Sequence, residues 1–211
     1  MPGPEQILAG LTAIANRALP LAVLWHVLVA CAVVGIAAGW RPSRRLSSIL
    51  LTLPLLSVAA VAWFFGNPFN GTAFSVFWVA LVVLGLRLPS DGLARAPAWS
   101  VLVGIGMVCF GLVYPHFLQS ASPLTCLYAA PTGLVPCPTL SLVIGLALVA
   151  DGLGSRTWSV VLACAGLFYG LFGTLRLGVY LDLGLIVGAA ALLVRGILLP
   201  AKASVGGPAA A

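Results

Sequence analysis

The chain has 211 residues, of which 62% are hydrophobic and 7% charged, with a mean hydropathy of +1.16. Soluble domains carry charge on about a quarter of their residues, so this composition argues against a water-soluble globular protein and for one that lives in lipid. The net charge of +6 comes from ten basic residues scattered between apolar runs, which build no basic face for a nucleic acid and are better explained by membrane topology.

The first sixteen residues carry Glu5 and no Lys or Arg, unlike a secretory leader, and the apolar run behind them is too long for a cleaved one. Pro4–Leu19 reads as an amphipathic helix. Pro4 and Glu5 suit a helix start, and Ile7, Leu8, Leu11, Ile14 and Ala18 share one face. Such a helix lies on a membrane surface; Asn16, Arg17 and Pro20 separate it from the first long apolar run.

Seven apolar segments then approach spanning length, about 17 to 25 residues. They are Pro20–Trp40, Ser48–Gly66, Thr72–Leu88, Val101–Phe117, Pro138–Val149, Trp158–Leu175 and Tyr180–Leu199, the fifth being short. The expected fold is all-α: a polytopic membrane helix bundle occupying residues 1–200 as one domain, preceded by the interfacial helix at 4–19. Residues 118–137 form an extracytoplasmic proline-rich segment, and the Gly/Ala-rich tail 201–211 is expected to be disordered. With the N-terminus outside and the C-terminus inside, Arg41, Arg44, Arg45, Arg87, Arg95, Arg156, Arg195 and Lys202 fall on the cytoplasmic side, and only Arg17 and Arg176 fall outside. That asymmetry is what the positive-inside rule asks for, and it predicts a multi-pass protein of a bacterial cytoplasmic membrane. Gly166 with Gly170, and Gly184 with Gly188, have the four-residue spacing that lets helices approach closely in lipid.

On this topology the unusual polar residues gather outside. Asn67 and Asn70 occupy the GNPFNG turn, which resembles the asparagine–proline motif of aquaporin half-helices but has no second copy, so that an ordinary two-Asn turn explains it. His26 lies about 9 Å inside the first span, either a functional intramembrane group or a structural one bonded to backbone. Tyr114–Thr139 holds two of the five cysteines, one of the two histidines and five of the fifteen prolines. In it, Pro115 should end or kink the helix and leave His116 near water. Cys126 and Cys137 could form a disulfide, remain two free thiols, or join His26 and His116 as metal or haem ligands. Cys137, opening a helix in the run Pro136–Thr139, is the best placed for a reactive thiolate, because a helix N-terminus favours negative charge. Against that stands a plain helix start capped by Thr139 or Thr132. Cys31, Cys109 and Cys164 read as small apolar packers. Arg176 and Asp182, six residues apart across a turn, are expected to pair as a structural ion pair.

Several stretches together resemble an uncharacterised bacterial family of multi-pass membrane proteins, domain of unknown function 6064. They are NPFNGTAFSVFW from Asn67, the Val113–Pro115 tripeptide, YAAPTGLVPCPT from Tyr128 and LFGTLRLGVYLDLGLIVGA from Leu171. The Pro136–Thr139 core and the run Gly178, Val179, Asp182, Leu183 and Gly184 carry most of the likeness. The chain departs from the pattern in lacking a tyrosine–histidine pair at Val58–Ala62, and in having Thr125 and Cys126 near a glycine–histidine pair. The resemblance implies the membrane fold and draws attention to Cys137; it implies no activity.

Three function classes fit these features. One is a transporter or channel for a small solute or metal ion, with an outward pocket lined by His26, His116, Cys126, Cys137, Thr139, Asn67 and Asn70. Another is a membrane-embedded thiol or metal redox protein, with haem possible. The third is an accessory subunit of a membrane complex. No acid–base pair or nucleotide loop marks an enzyme, and the sequence requires no cofactor.

Overall fold

The computed structural model describes residues 3–119 and 122–199, and all its regular elements are helical. The helices are α1 (Pro4–Arg17), α2 (Leu19–Ala37), α3 (Arg44–Phe64), α4 (Pro68–Leu86), α5 (Ala98–Val113), the single turn α6 (Cys126–Ala129), α7 (Pro136–Val149), α8 (Arg156–Leu171), a π-helical turn Phe172–Arg176, and α9 (Asp182–Leu198). Four of these segments, α2, α3, α4 and α8 with its π turn, are long and apolar enough to cross a membrane; α5 and α7 are apolar but shorter. The expected tail, with Lys202, lies outside the described residues.

Local chemistry sets the boundaries. Ser43 accepts from Leu46 N to start α3, and Asn67 accepts from Asn70 N to start α4, the N-cap pattern. Pro115 expels the preceding residue from helical geometry, so α5 stops at Val113 and Tyr114 turns away with ψ 110°. α1 follows the predicted face: Leu11, Ile14 and Ala15 are buried, with Ile7, Leu8 and Ala18 packed beside them. Asn16 ties α1 to the far end of α5, donating to Phe117 O and accepting from Gln119 N at 2.9 Å each.

The core is built around α7. Twelve of its fourteen residues are buried, so it is wrapped by protein on all sides although its length is only about 21 Å at the α-helical rise. α5 lies directly against it through glycines: a methyl group on Gly111 would stand 2.7 Å from Pro138 O, and one on Gly145 2.6 Å from Gly104 O. Backbones that close are the usual device of helices in lipid. Of the predicted pairs, Gly170 admits the α9 backbone at Ile186 N and Asp182 O, while Gly166 makes room for the side chains of Ile144 and Ala189 and Gly188 for that of Met107. By contrast α2 buries only Ala22 and Val29 and is otherwise peripheral.

The later part of the proline-rich segment packs into the bundle. Ala129–Val135 is fully buried where α6 gives way to α7. Such irregular backbone is tolerated at depth only when protein covers and satisfies it. Thr132 donates to Gly111 O at 2.6 Å, Gly133 N donates to Thr139 Oγ1 at 2.8 Å, and Leu134 N and Val135 N both donate to Pro131 O.

Candidate functional site

The breaks in regular helix converge on one carboxylate. Asp182 is the first residue of α9 and is 1% exposed. Its Oδ1 accepts from Tyr114 OH at 2.7 Å, and its Oδ2 accepts from Cys137 Sγ at 3.1 Å. Tyr114 is delivered by the proline-enforced end of α5 and Cys137 by the first turn of α7. Gly173, in the π turn, leaves the space the carboxylate fills; a side-chain methyl there would occupy the position of Oδ2. The π turn re-aims the chain between α8 and α9, with Val179 N bonded to Gly173 O and Asp182 N to Val179 O at 3.0 Å or less. A π-bulge of this kind often marks a functional position.

A second polar pair stands beside the first. Tyr169 OH donates to the buried Asn70 Oδ1 at 3.0 Å, and Tyr169 is near enough to Cys137 for the two to interact electrostatically. The ends of five helices, α4, α5, α7, α8 and α9, therefore supply one polar group each. Aromatic rings enclose them: Phe117 stacks on Tyr114 at 6.0 Å, Phe110 meets Tyr114 edge-on at 5.4 Å, and Phe74 packs on Tyr169 at 5.2 Å. The cluster is closed. Tyr114 is fully buried and Cys137 8% exposed, and two open surface hollows of about 380 and 360 Å³ lie elsewhere, at Gly3–Gln6 and along Ser75–Ala80.

Several sequence expectations change. Asp182 does not pair with Arg176: the arginine ends the π turn and is exposed, whereas Asp182 points inward to neutral donors. His26, His116, Cys126 and Cys137 do not assemble into a ligand set, and among the described residues no three His, Cys, Asp or Glu side chains are placed to hold a metal. All five cysteines are free, so Cys126 and Cys137 are not bridged. Cys137 serves as a hydrogen-bond donor to a carboxylate rather than as an exposed thiolate. Cys31, Cys109 and Cys164 are exposed on the bundle surface instead of packing within it.

The remaining candidates have structural partners. His26 is half-buried, its ring nitrogens 2.9 Å from Ala22 O and from Leu112 O, bracing α2 against α5. Thr139 bonds to Val135 O and receives Gly133 N, fixing the entry to α7. Asn67 caps α4, Cys126 is half-buried at the start of α6, and His116 is exposed, edge-on to Phe117 at 4.8 Å. Sequence reasoning does not reach Tyr114 or Tyr169 as site residues. The usable signal is Asp182 itself, an ionisable residue at a span boundary.

At the opposite end of the same helices a second carboxylate is handled differently. Asp151 is 5% exposed, and its Oδ1 receives Arg195 Nε at 2.7 Å. Compared with protein-family models, with curated proteins and with solved structures, the chain matches none.

Proposed function

We propose that this is a multi-pass membrane protein that moves a small solute or metal ion, its site formed where α5, α7, α8 and α9 meet at Asp182. The observation that carries the reading is the buried carboxylate held by two neutral donors at a point where two helices begin and a third is broken. Broken helices and helix termini at depth are how membrane transporters build binding sites, and an ionisable group there is a functional candidate by default. The proposed topology has seven spans, with the N-terminus outside and the C-terminus inside a bacterial cytoplasmic membrane. It rests on the basic residues and puts the Asp182 end outside. The resemblance to the uncharacterised membrane family, domain of unknown function 6064, is proposed on the same footing.

The test is charge movement. Proteoliposomes adsorbed on a sensor are exposed in turn to amines, carboxylates, sugars and divalent metals. Wild-type protein should give a transient current with at least one class, and Asp182→Asn should give none while remaining folded. Silence with every class, or equal currents from Asp182→Asn, sinks the reading.

A thiol redox role is the second reading, favoured by the contact between Cys137 and Asp182, since a carboxylate beside a thiol can take up its proton. It requires Cys137 to be oxidised and reduced in turnover. Mass tagging that finds Cys137 always reduced, in cells grown with and without oxidant, removes it.

A further inference from the structure

We infer that the ligand of Asp182 is a proton, exchanged with water on the His116 side, and that proton binding reorganises the junction of α5, α7 and α9. This rests on the transport reading only for the use made of the proton; the site itself is argued from its geometry.

Each carboxylate oxygen already holds a hydrogen donor, Tyr114 on Oδ1 and Cys137 on Oδ2. Gly173 closes against Oδ2 with no room to spare. A hard metal cation needs about six oxygen ligands, and here the hydroxyl and thiol turn their hydrogens, not their lone pairs, toward the carboxylate. A proton needs no such shell. On binding at Oδ2 it converts an acceptor into a donor. Cys137 then has to turn its S–H away and receive through sulfur, while Tyr114 continues to donate to Oδ1. No bond between heavy atoms forms or breaks, and the proton comes from water and returns to it.

The titratable groups near the carboxylate are few. Tyr114 faces it from the end of α5 and Cys137 from α7, and Tyr169 on α8 precedes Gly170, which lies against Asp182 O. His116, two residues past Tyr114, is exposed and packs edge-on against Phe117, which in turn stacks on Tyr114, so it marks the side of the site that meets water. Arg176 is exposed and forms no ion pair with Asp182. Because Asp182 begins α9 and its partners end α5 and begin α7, reversing the Cys137 bond, so that sulfur serves as a weak acceptor, loosens the contact through which the three helix ends are held.

The chain has only four acidic side chains. Glu5 and Asp91 are exposed, and Asp151 is paired with Arg195. This makes infrared difference spectroscopy decisive. Acidifying purified protein in lipid should produce a carboxylic C=O band that is missing in Asp182→Asn and displaced in frequency in Cys137→Ala. The second variant keeps the test valid should the first fold poorly. Absence of any such band, or a band unmoved by both substitutions, overturns the inference even where solute currents persist. A band with these properties and no solute current would uphold the proton site while removing the transport reading.

Discussion

Two buried aspartates sit at opposite ends of the helices that surround α7, and they are solved in opposite ways. Asp151 receives the guanidinium of Arg195, so its charge is cancelled where it stands. It lies in a left-handed turn: Asp151, Gly152, Leu153 and Gly154 all have φ between 56° and 59°. Arg44 donates to the carbonyls of Leu153 and Gly154 at 2.7 Å, and Ser159 donates to that of Gly152 at 3.0 Å. Non-glycine residues in that conformation persist only when their surroundings hold them. Asp182, about 20 Å along α9 from Arg195 at the α-helical rise, has a hydroxyl and a thiol and no cation. One end is a staple whose charges balance. The other holds a carboxylate whose charge only a proton or a bound cation could cancel, which is the condition for a site that changes state.

The comparison can be broken at either end. Arg195→Gln strands Asp151 without its partner and should destabilise the protein by about 3–5 kcal/mol, read as a fall in thermal midpoint in detergent. Asp151→Asn with Arg195→Gln should recover most of that loss, because a pair removed together leaves no buried charge. If the single and double variants are equally unstable, the pair is not what holds this end. Next in size, Tyr114→Phe removes a hydrogen bond to a charged group and should cost about 1.5–3 kcal/mol. Asp182→Asn should cost less than Arg195→Gln does, although both replace a buried charged group by an amide. A larger loss for Asp182→Asn would show that the Asp182 end is itself a staple.

Smaller changes sharpen the contrast. Cys137→Ser retains a donor to Asp182 and should shift stability by only about 1 kcal/mol, while abolishing solute currents; wild-type currents from a well-folded Cys137→Ser protein would remove the thiol from the mechanism. His116→Ala touches an exposed ring and should leave stability within about 0.5 kcal/mol. It should slow proton exchange at Asp182, seen as a slower rise of the carboxylic infrared band after an acid jump.

Much of the architecture is legible in the sequence because hydropathy and breakers act locally. Ser43, Asn67 and Pro115 set helix ends within a few residues of where apolar runs and turn chemistry put them. Glycine spacing anticipates the packing of Gly166 and Gly188. It gives no sign of the tight α5–α7 contact, since Gly104, Gly111 and Gly145 lie in two helices whose pairing is a tertiary fact. The burial of Ala129–Val135 is hidden for a related reason: a polar, proline-rich run reads as a loop until protein is seen to cover it. The site is half legible. Cys137 stands out for its helix start, but sequence distance favours Arg176, six residues from Asp182, over the true partner Tyr114, which is 68 residues away. The π turn that sends Arg176 outward and Asp182 inward leaves no compositional trace.

The most direct measurement is the transient current evoked by a pH jump, with no solute present, on proteoliposomes carrying wild-type protein, Asp182→Asn, or the double neutral variant Asp151→Asn with Arg195→Gln. A proton entering a buried site displaces charge across part of the membrane. Wild-type and the double variant should give the transient, and Asp182→Asn should not. A transient that survives in Asp182→Asn, or that vanishes only in the double variant, would contradict the assignment of the exchanging proton to Asp182.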